Sequence, residues 1–388
     1  MATIKDKSVL PEKYQRRDGE SYEDWVLRML WVAYLDARKC KRNTKDQYKF
    51  EVNAMENLLK LREDILERRY APSRGIAFIV NDPVIREIFA APFRDRVVHH
   101  VLYNLSYDWW DKRLIFDSYS CRLNKGVLLG AQRLRKMENM AINEYQEPIY
   151  IVKMDVKGYF MSLPRDGLFE RVVWGLDQQY PHNKPREYYM TKFLWRQVIY
   201  DDPTKGVRKR GDYREWERLP DSKSLFCQPP KTGIVIGNLS SQLLSNIYLD
   251  QLDRFVKYTL KYKYYGRYVD DFYILTPESH LKQAMRDVEA IKVFLQGMKL
   301  HLHPNKFYVQ NVNRGVVYLG IRVYPNRLIP GPRVVRRYKR ATRLVTAGIK
   351  DEATMLSYLG QFVHLKSNRI QQKIFDEAGW DWTWWVIP

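Results

Sequence analysis

Between Gly266 and Leu275 the chain reads Gly-Arg-Tyr-Val-Asp-Asp-Phe-Tyr-Ile-Leu, two adjacent carboxylates between runs of β-branched and aromatic residues. The pattern predicts a strand, a tight turn and a second strand. Adjacent carboxylates repel unless a cation or a proton lies between them, and a divalent metal is the natural counter-charge. Sites that hold two metals roughly 3.5–4 Å apart need several converging carboxylates. Asp155 supplies a further one: it ends the apolar run Ile149–Asp155, which reads as a buried strand delivering its last residue to a sheet edge. An Asp pair alone reads more readily as a surface turn than as a catalytic site. Asp201-Asp202 is the internal contrast, since Pro-Thr-Lys-Gly follows it and no strand pattern does.

With Lys+Arg 66 against Asp+Glu 45, the net charge of +21 favours a polyanionic partner, nucleic acid before anionic membrane. No apolar run approaches the roughly 20 residues that span a bilayer, and Met-Ala-Thr-Ile-Lys-Asp-Lys lacks the apolar core of a signal peptide. A cytoplasmic protein is expected. Cys40, Cys121 and Cys227 lie far apart, which supports neither a disulfide framework nor a zinc ribbon.

Along the chain, apolar spacing predicts two amphipathic helices between about 20 and 70, separated by the basic loop Arg38–Lys45. That loop suits phosphate contact or plain solvation equally. Two apolar runs around Asn81-Asp82-Pro83 predict a hairpin, then a helix through Val97, Val101 and Leu105. Arg86 and Arg94 could grip a triphosphate or pair with Glu87 and Asp95. His99 and His100 lack metal-ligand spacing and read as structural or solvent-facing. A loop carrying Arg122 and Lys125 leads into a helix through Leu128, Leu134 and Met137. Pro164 is expected to open a helix. Residues 174–231 read as a polar, aromatic, loop-like insertion. Lys231–Gln242 reads as a Gly-bounded loop, with Asn238 or Ser240 expected to cap a long apolar-striped helix and Gly237 allowing close approach of a ligand. The resulting order suits an antiparallel sheet backed by helices, the split βαβ plan. From Arg333 onward, Arg336, Arg337 and Arg340 crowd one helix, a second runs through Leu356, Leu359, Phe362 and Ile370, and a Trp-rich tail follows.

Taken together, Tyr268-Val269-Asp270-Asp271, Asp155 with Phe160, and Gly237-Asn238-Leu239-Ser240-Ser241-Gln242 resemble the motifs of a reverse transcriptase from about residue 75 to 375. The resemblance implies an α+β right-hand polymerase fold with fingers, split-βαβ palm and small helical thumb. It divides the chain into an N-terminal helical extension at 1–70, fingers at 71–147, palm at 148–332 including the 174–231 insertion, and thumb with aromatic tail at 333–388. Ile236–Gln242, Arg86–His100 and Asp202–Lys205 resemble the enzymes of diversity-generating retroelements. Group II intron enzymes and many other reverse transcriptases carry Pro-Gln-Gly where this chain has Val235-Ile236-Gly237, and Ile236 cannot donate the Gln hydrogen bond to an incoming nucleotide.

By the same resemblance, Asp155, Asp270 and Asp271, with Val156 beside them, would hold two Mg²⁺ ions, and Lys306 is a candidate proton donor or an ordinary surface lysine. Arg86, Arg94, Phe160, Ile236, Gly237 and Gln242 would meet the deoxynucleoside triphosphate, Phe160 acting as a steric gate against ribose. Arg122, Lys125, Tyr318, Gly320, Arg336, Arg337 and Arg340 would meet nucleic acid, with Tyr318–Val323 as a primer-grip hairpin. The implied partners are a template RNA, a primer or its cDNA, and a small helical, oligomeric accessory variability protein. The implied activity is copying of a template-repeat RNA with errors at adenines. A retron, group II-like or phage-defence enzyme, and an inactive RNA-binding scaffold, are the rival expectations.

Overall fold

The computed structural model describes residues 10–39, 44–82 and 84–380. The centre of the basic loop with Cys40, and the tail beyond Trp380, lie outside them. The chain divides into two compact units that are each discontinuous in sequence. One comprises Met1–Ile115, Val156–Arg254 and Val293–Leu302, the other Phe116–Asp155, Phe255–Lys292 and His303–Pro388.

The second unit is built on β3 (Ile149–Asp155), β5 (Tyr265–Tyr268), β6 (Asp271–Pro277) and β7 (Tyr308–Asn311), an antiparallel sheet in the order β5-β6-β3-β7. Placing the first and third strands at the centre is the split βαβ order. β3 and β6 are buried along nearly their whole length, so they read as continuous apolar runs rather than alternating ones. The helix Val127–Tyr145 lays Leu134, Met137 and Ala141 into a core shared with Ile151, Tyr273, Leu275 and Tyr318. Burying a Leu, Ile or Met side chain of this kind stabilises the unit by roughly 1.5–3 kcal/mol. β8 (Val316–Tyr318), β9 (Ile321–Tyr324) and β10 (Arg327–Pro330) make a separate meander in the order β10-β9-β8. Leu319 and Gly320 both have positive φ, 52° and 82°, as a two-residue primed hairpin turn demands.

At the C-terminal side, Pro332–Thr346, Ala353–Phe362 and Asn368–Ala378 enclose Tyr338, Met355, Leu359, Phe362 and Phe375. The expected second helix is therefore two. Leu359 and Phe362 are buried as expected, while Leu356 is 51% exposed and its neighbour Met355 takes the packing position.

In the first unit, β1 (Ile76–Val80) and β2 (Arg86–Ala90) pair as the expected hairpin, and β4 (Arg208–Arg210) adds in parallel beside β1. The expected helix follows at Phe93–Arg113. The two expected N-terminal helices are Tyr22–Arg38 and Ala54–Leu66, and between them, ended by Asn53, lies a further short helix, Lys45–Val52, that the apolar spacing did not mark. Residues 174–231 are not the loop-like insertion expected. The helix Arg165–Gln179 runs into them, and Arg186–Tyr200 buries Tyr188, Leu194, Trp195 and Ile199 on one face, a stripe disguised by its tyrosines and lysines. Pro164 precedes Arg165–Gln179 as its cap instead of occupying its first turn. Asp201 caps the end of Arg186–Tyr200 and ion-pairs with Arg74 at 3.2 Å, and a turn follows the Asp201-Asp202 pair. No helix among the described residues is long and apolar enough to cross a membrane.

Candidate active site

Asp155 closes β3 and Asp271 opens β6, and the strand register sets them directly opposite one another. Side chains that pair across antiparallel strands share a face, so both carboxylates project on one side of the sheet. Val269 and Asp270 form the two-residue turn between β5 and β6, where Tyr268 pairs with Asp271. Val269 has φ +56°, a left-handed conformation that a β-branched residue adopts only under strain of about 1–3 kcal/mol. Arg267 holds the turn in place. Fully buried, it donates from Nη1 to the Val269 carbonyl at 3.0 Å and from Nη2 to Ser118 Oγ at 3.3 Å. Its main chain bonds on both sides to Asp117 and Tyr119, which extends the sheet past β5.

Two lysines reach the carboxylates. Lys306 Nζ lies 3.0 and 2.9 Å from the two oxygens of Asp155, and Lys153 Nζ lies 2.8 Å from Asp271 Oδ2. Burial, then the nearby charge of Asp155, pushes the Asp270 carboxyl up to about 6. Asp271 is raised by burial, against the opposing pull of Lys153. Asp271 Oδ1 is buried with no hydrogen-bond partner. Such an orphan acceptor is uncommon, and a cation would satisfy it. Three carboxylates are hard oxygen donors of the kind Mg²⁺ takes. Among the described residues, however, no three acidic, His or Cys side chains are gathered into a ready cage. The donor chemistry fits a divalent ion, with the lysines as counter-charges in this arrangement.

The other expected site residues are placed as follows. In the second unit, Tyr318 is fully buried, stacked edge-on against Tyr273 at 5.1 Å, and is a core residue rather than a nucleic-acid contact. Arg122 is 8% exposed and donates to the Ser118 carbonyl, so its guanidinium serves the loop. Lys125 donates to the Phe116 carbonyl and lies over that ring. Gly320 stays in the turn, and Arg336 and Arg340 are exposed opposite the buried Tyr338, while Arg337 is half-buried.

Within the first unit, Phe160 and Ile236 are half-buried, Gln242 and Arg86 are exposed, and Val156 is buried. Gly237 has φ +125°, and a Cβ there would lie 2.7 Å from the Phe89 carbonyl oxygen. Phe89 N–H donates to the Ile236 carbonyl, so this loop runs along the free edge of β2. Arg94 is tied to Asp64 at 2.8 Å and Asp95 at 3.2 Å and stacks on Tyr70, the paired state weighed above. Ser240 Oγ lies 2.9 Å from His99 Nδ1, inside the core. Lys153 and Arg267 were missed. Lys153 was detectable, since it lies two residues before Asp155 and therefore on the same face of a strand.

The family model described as "Reverse transcriptase (RNA-dependent DNA polymerase)" matches residues 92–323, more than half of the chain and all of the carboxylate site. The protein belongs to this family. With membership comes the right-hand polymerase fold class, and enzymes of the family generally use divalent metal ions. No curated protein matches. Similar solved structures include telomerase from Candida albicans in complex with a TWJ fragment of telomeric RNA, at 13% identity over 81% of this chain and 57% of that one, TM-score 0.48. Apo telomerase from Candida tropicalis is similar at 12% identity, over 79% and 58%, TM-score 0.46. The chain thus spans less than two thirds of either telomerase chain.

Proposed function

We propose that this protein is an RNA-directed DNA polymerase that extends a primer 3′-hydroxyl with deoxynucleoside triphosphates, and that it serves a diversity-generating retroelement in the cytoplasm. The observation that carries the polymerase reading is the register of Asp155 opposite Asp271, with Asp270 on the strained turn beside them. Asp155, Asp270 and Asp271 would hold two Mg²⁺ ions, with Val156 adjoining. When bound, the metal activates the attacking hydroxyl and neutralises charge on the triphosphate. Lys153 pulls against the burial that raises the Asp271 carboxyl and fixes one of its oxygens. Lys306 is the candidate proton donor to the leaving pyrophosphate. Phe160 excludes a ribose 2′-hydroxyl, and Arg86, Ile236, Gly237 and Gln242 border the incoming nucleotide.

Support for the retroelement subtype comes from Ile236–Gln242, Arg86–His100 and Asp202–Lys205. In that reading the template is a repeat within a structured RNA, and a small helical accessory protein assists. The test is primer extension on purified RNA with Mg²⁺, followed by sequencing of the products. Asp270→Ala with Asp271→Ala is expected to abolish extension while RNA binding persists, and full activity in that variant would sink the mechanism. Ile236→Gln is expected to lower misincorporation opposite template adenines. An unchanged error spectrum removes Ile236 from the account.

A further inference from the structure

Asp155 and Asp271 are aimed by strand register, whereas Asp270 depends on the turn it stands on. The left-handed backbone of Val269 in that turn persists only where its surroundings over-determine it. Within the second unit, a buried guanidinium supplies that constraint. A cation with no exposed surface is costly unless its donors are used. Arg267 Nη1 donates to the Val269 carbonyl at 3.0 Å and Nη2 to Ser118 Oγ at 3.3 Å. The Val269 carbonyl belongs to the planar peptide that also carries the Asp270 nitrogen. Fixing that oxygen therefore fixes the plane from which Asp270 departs.

The far end of this strut is itself clamped. Residues 117–119 run parallel to β5 at Arg267, whose N–H donates to the Asp117 carbonyl and whose carbonyl accepts from the Tyr119 N–H, both at 2.9 Å. The Asp117 carboxylate accepts from Arg133 Nε at 2.7 Å and from the Tyr119 hydroxyl at 3.0 Å. Tyr119 and Tyr273 bring their hydroxyls to 3.3 Å beside Gly266, where a Cβ would lie 2.5 Å from one hydroxyl oxygen and 2.8 Å from the other. Ser118 is thus held, and the rigid fork of Arg267 passes its position on to the Asp270 peptide. The choice of ion depends on such precision. Mg²⁺ demands near-ideal octahedral geometry with oxygens at about 2.0–2.1 Å, whereas Ca²⁺ accepts about 2.3–2.6 Å in a flexible shell.

We propose that Arg267, braced on Ser118, is the positioning residue that sets the site's preference for Mg²⁺ over Ca²⁺, by holding Asp270 to the tighter geometry. This rests on the reading of Asp155, Asp270 and Asp271 as metal ligands, and the test separates the two. Melting temperature is measured on metal-stripped protein titrated with Mg²⁺ or with Ca²⁺, each dissociation constant following from the stabilisation the ion adds. Both ions are expected to stabilise the wild type. Arg267→Met is expected to weaken Mg²⁺ by roughly tenfold or more and Ca²⁺ by a smaller factor, so that the ratio of the two constants moves toward Ca²⁺. Arg267→Lys, a single point of charge in place of the fork, is expected to move it too. Ser118→Ala keeps the guanidinium and removes its brace. It is expected to move the ratio in the same direction by less, and it decides the outcome alone if Arg267→Met does not fold. If neither ion stabilises the wild type, or Asp270→Asn leaves the response unchanged, the metal reading fails. If the wild type responds but the variants melt lower in EDTA with an unchanged ratio, or lose both ions equally, Arg267 serves the fold alone and the proposal is overturned.

Discussion

The ammonium of Lys153 sits 2.8 Å from Asp271 Oδ2, while Oδ1 of the same carboxylate is buried without a partner. One oxygen is thus fixed and the other offered. Groups that orient a metal-binding side chain from behind typically matter by 10–100-fold in affinity or activity. Lys153→Met is therefore expected to raise the Mg²⁺ concentration needed for half-maximal extension by roughly tenfold or more. Lys153→Arg, which keeps the charge, is expected to fall between. The measurement is a Mg²⁺ titration of the initial extension rate.

Asp270 gives the site a pH dependence whose sign can be worked out. Its carboxyl is raised to about 6 in the folded protein from 3.8. The folded state binds the proton more tightly than the unfolded one, so this group's contribution to stability is complete below about pH 4. It is lost as pH rises through 6, by at most about 3 kcal/mol. Thermal unfolding in EDTA from pH 4 to 7 is expected to show that decline, and Asp270→Asn to flatten it.

Val269 holds a left-handed backbone without being glycine. Val269→Gly is expected to raise stability by about 1 kcal/mol by releasing that strain. Extension is expected to fall at the same time, because the turn that aims Asp270 becomes looser. Melting temperature and initial rate, measured on one preparation, check both halves.

Gly237→Ala brings a methyl group to 2.7 Å from the Phe89 carbonyl, at a φ of +125° that side chains avoid. The loop must leave the edge of β2. The expected result is a raised KM for deoxynucleoside triphosphate with a smaller change in the affinity for RNA, read from steady-state extension and filter binding.

Each carboxylate was legible in a short window, as a strand pattern ending at Asp155 and a turn at Asp270, while joining them into one site took the resemblance to reverse transcriptase motifs. What escaped depends on residues far apart. Arg267 looks like a surface cation until Ser118 and the Val269 carbonyl are brought to it. Tyr318 and Arg122 resembled binding residues because their types suit nucleic acid, yet tertiary burial, which no short window carries, assigns them to packing. Residues 186–200 read as loop because their tyrosines and charged side chains mask the apolar face that Tyr188, Leu194, Trp195 and Ile199 share.

Each compact unit is assembled from three separate stretches of chain, and β3 takes partners from β6 and from β7, the last beginning at Tyr308. During synthesis, Asp155 emerges long before the strands that flank it. Contacts between such distant parts close late and fold slowly. The nascent chain therefore carries an incomplete sheet, with the exposed edges that invite mispairing, until most of it has left the ribosome. A truncation before Tyr308 would leave that sheet open, so a shortened transcript yields a folding problem and not a smaller enzyme.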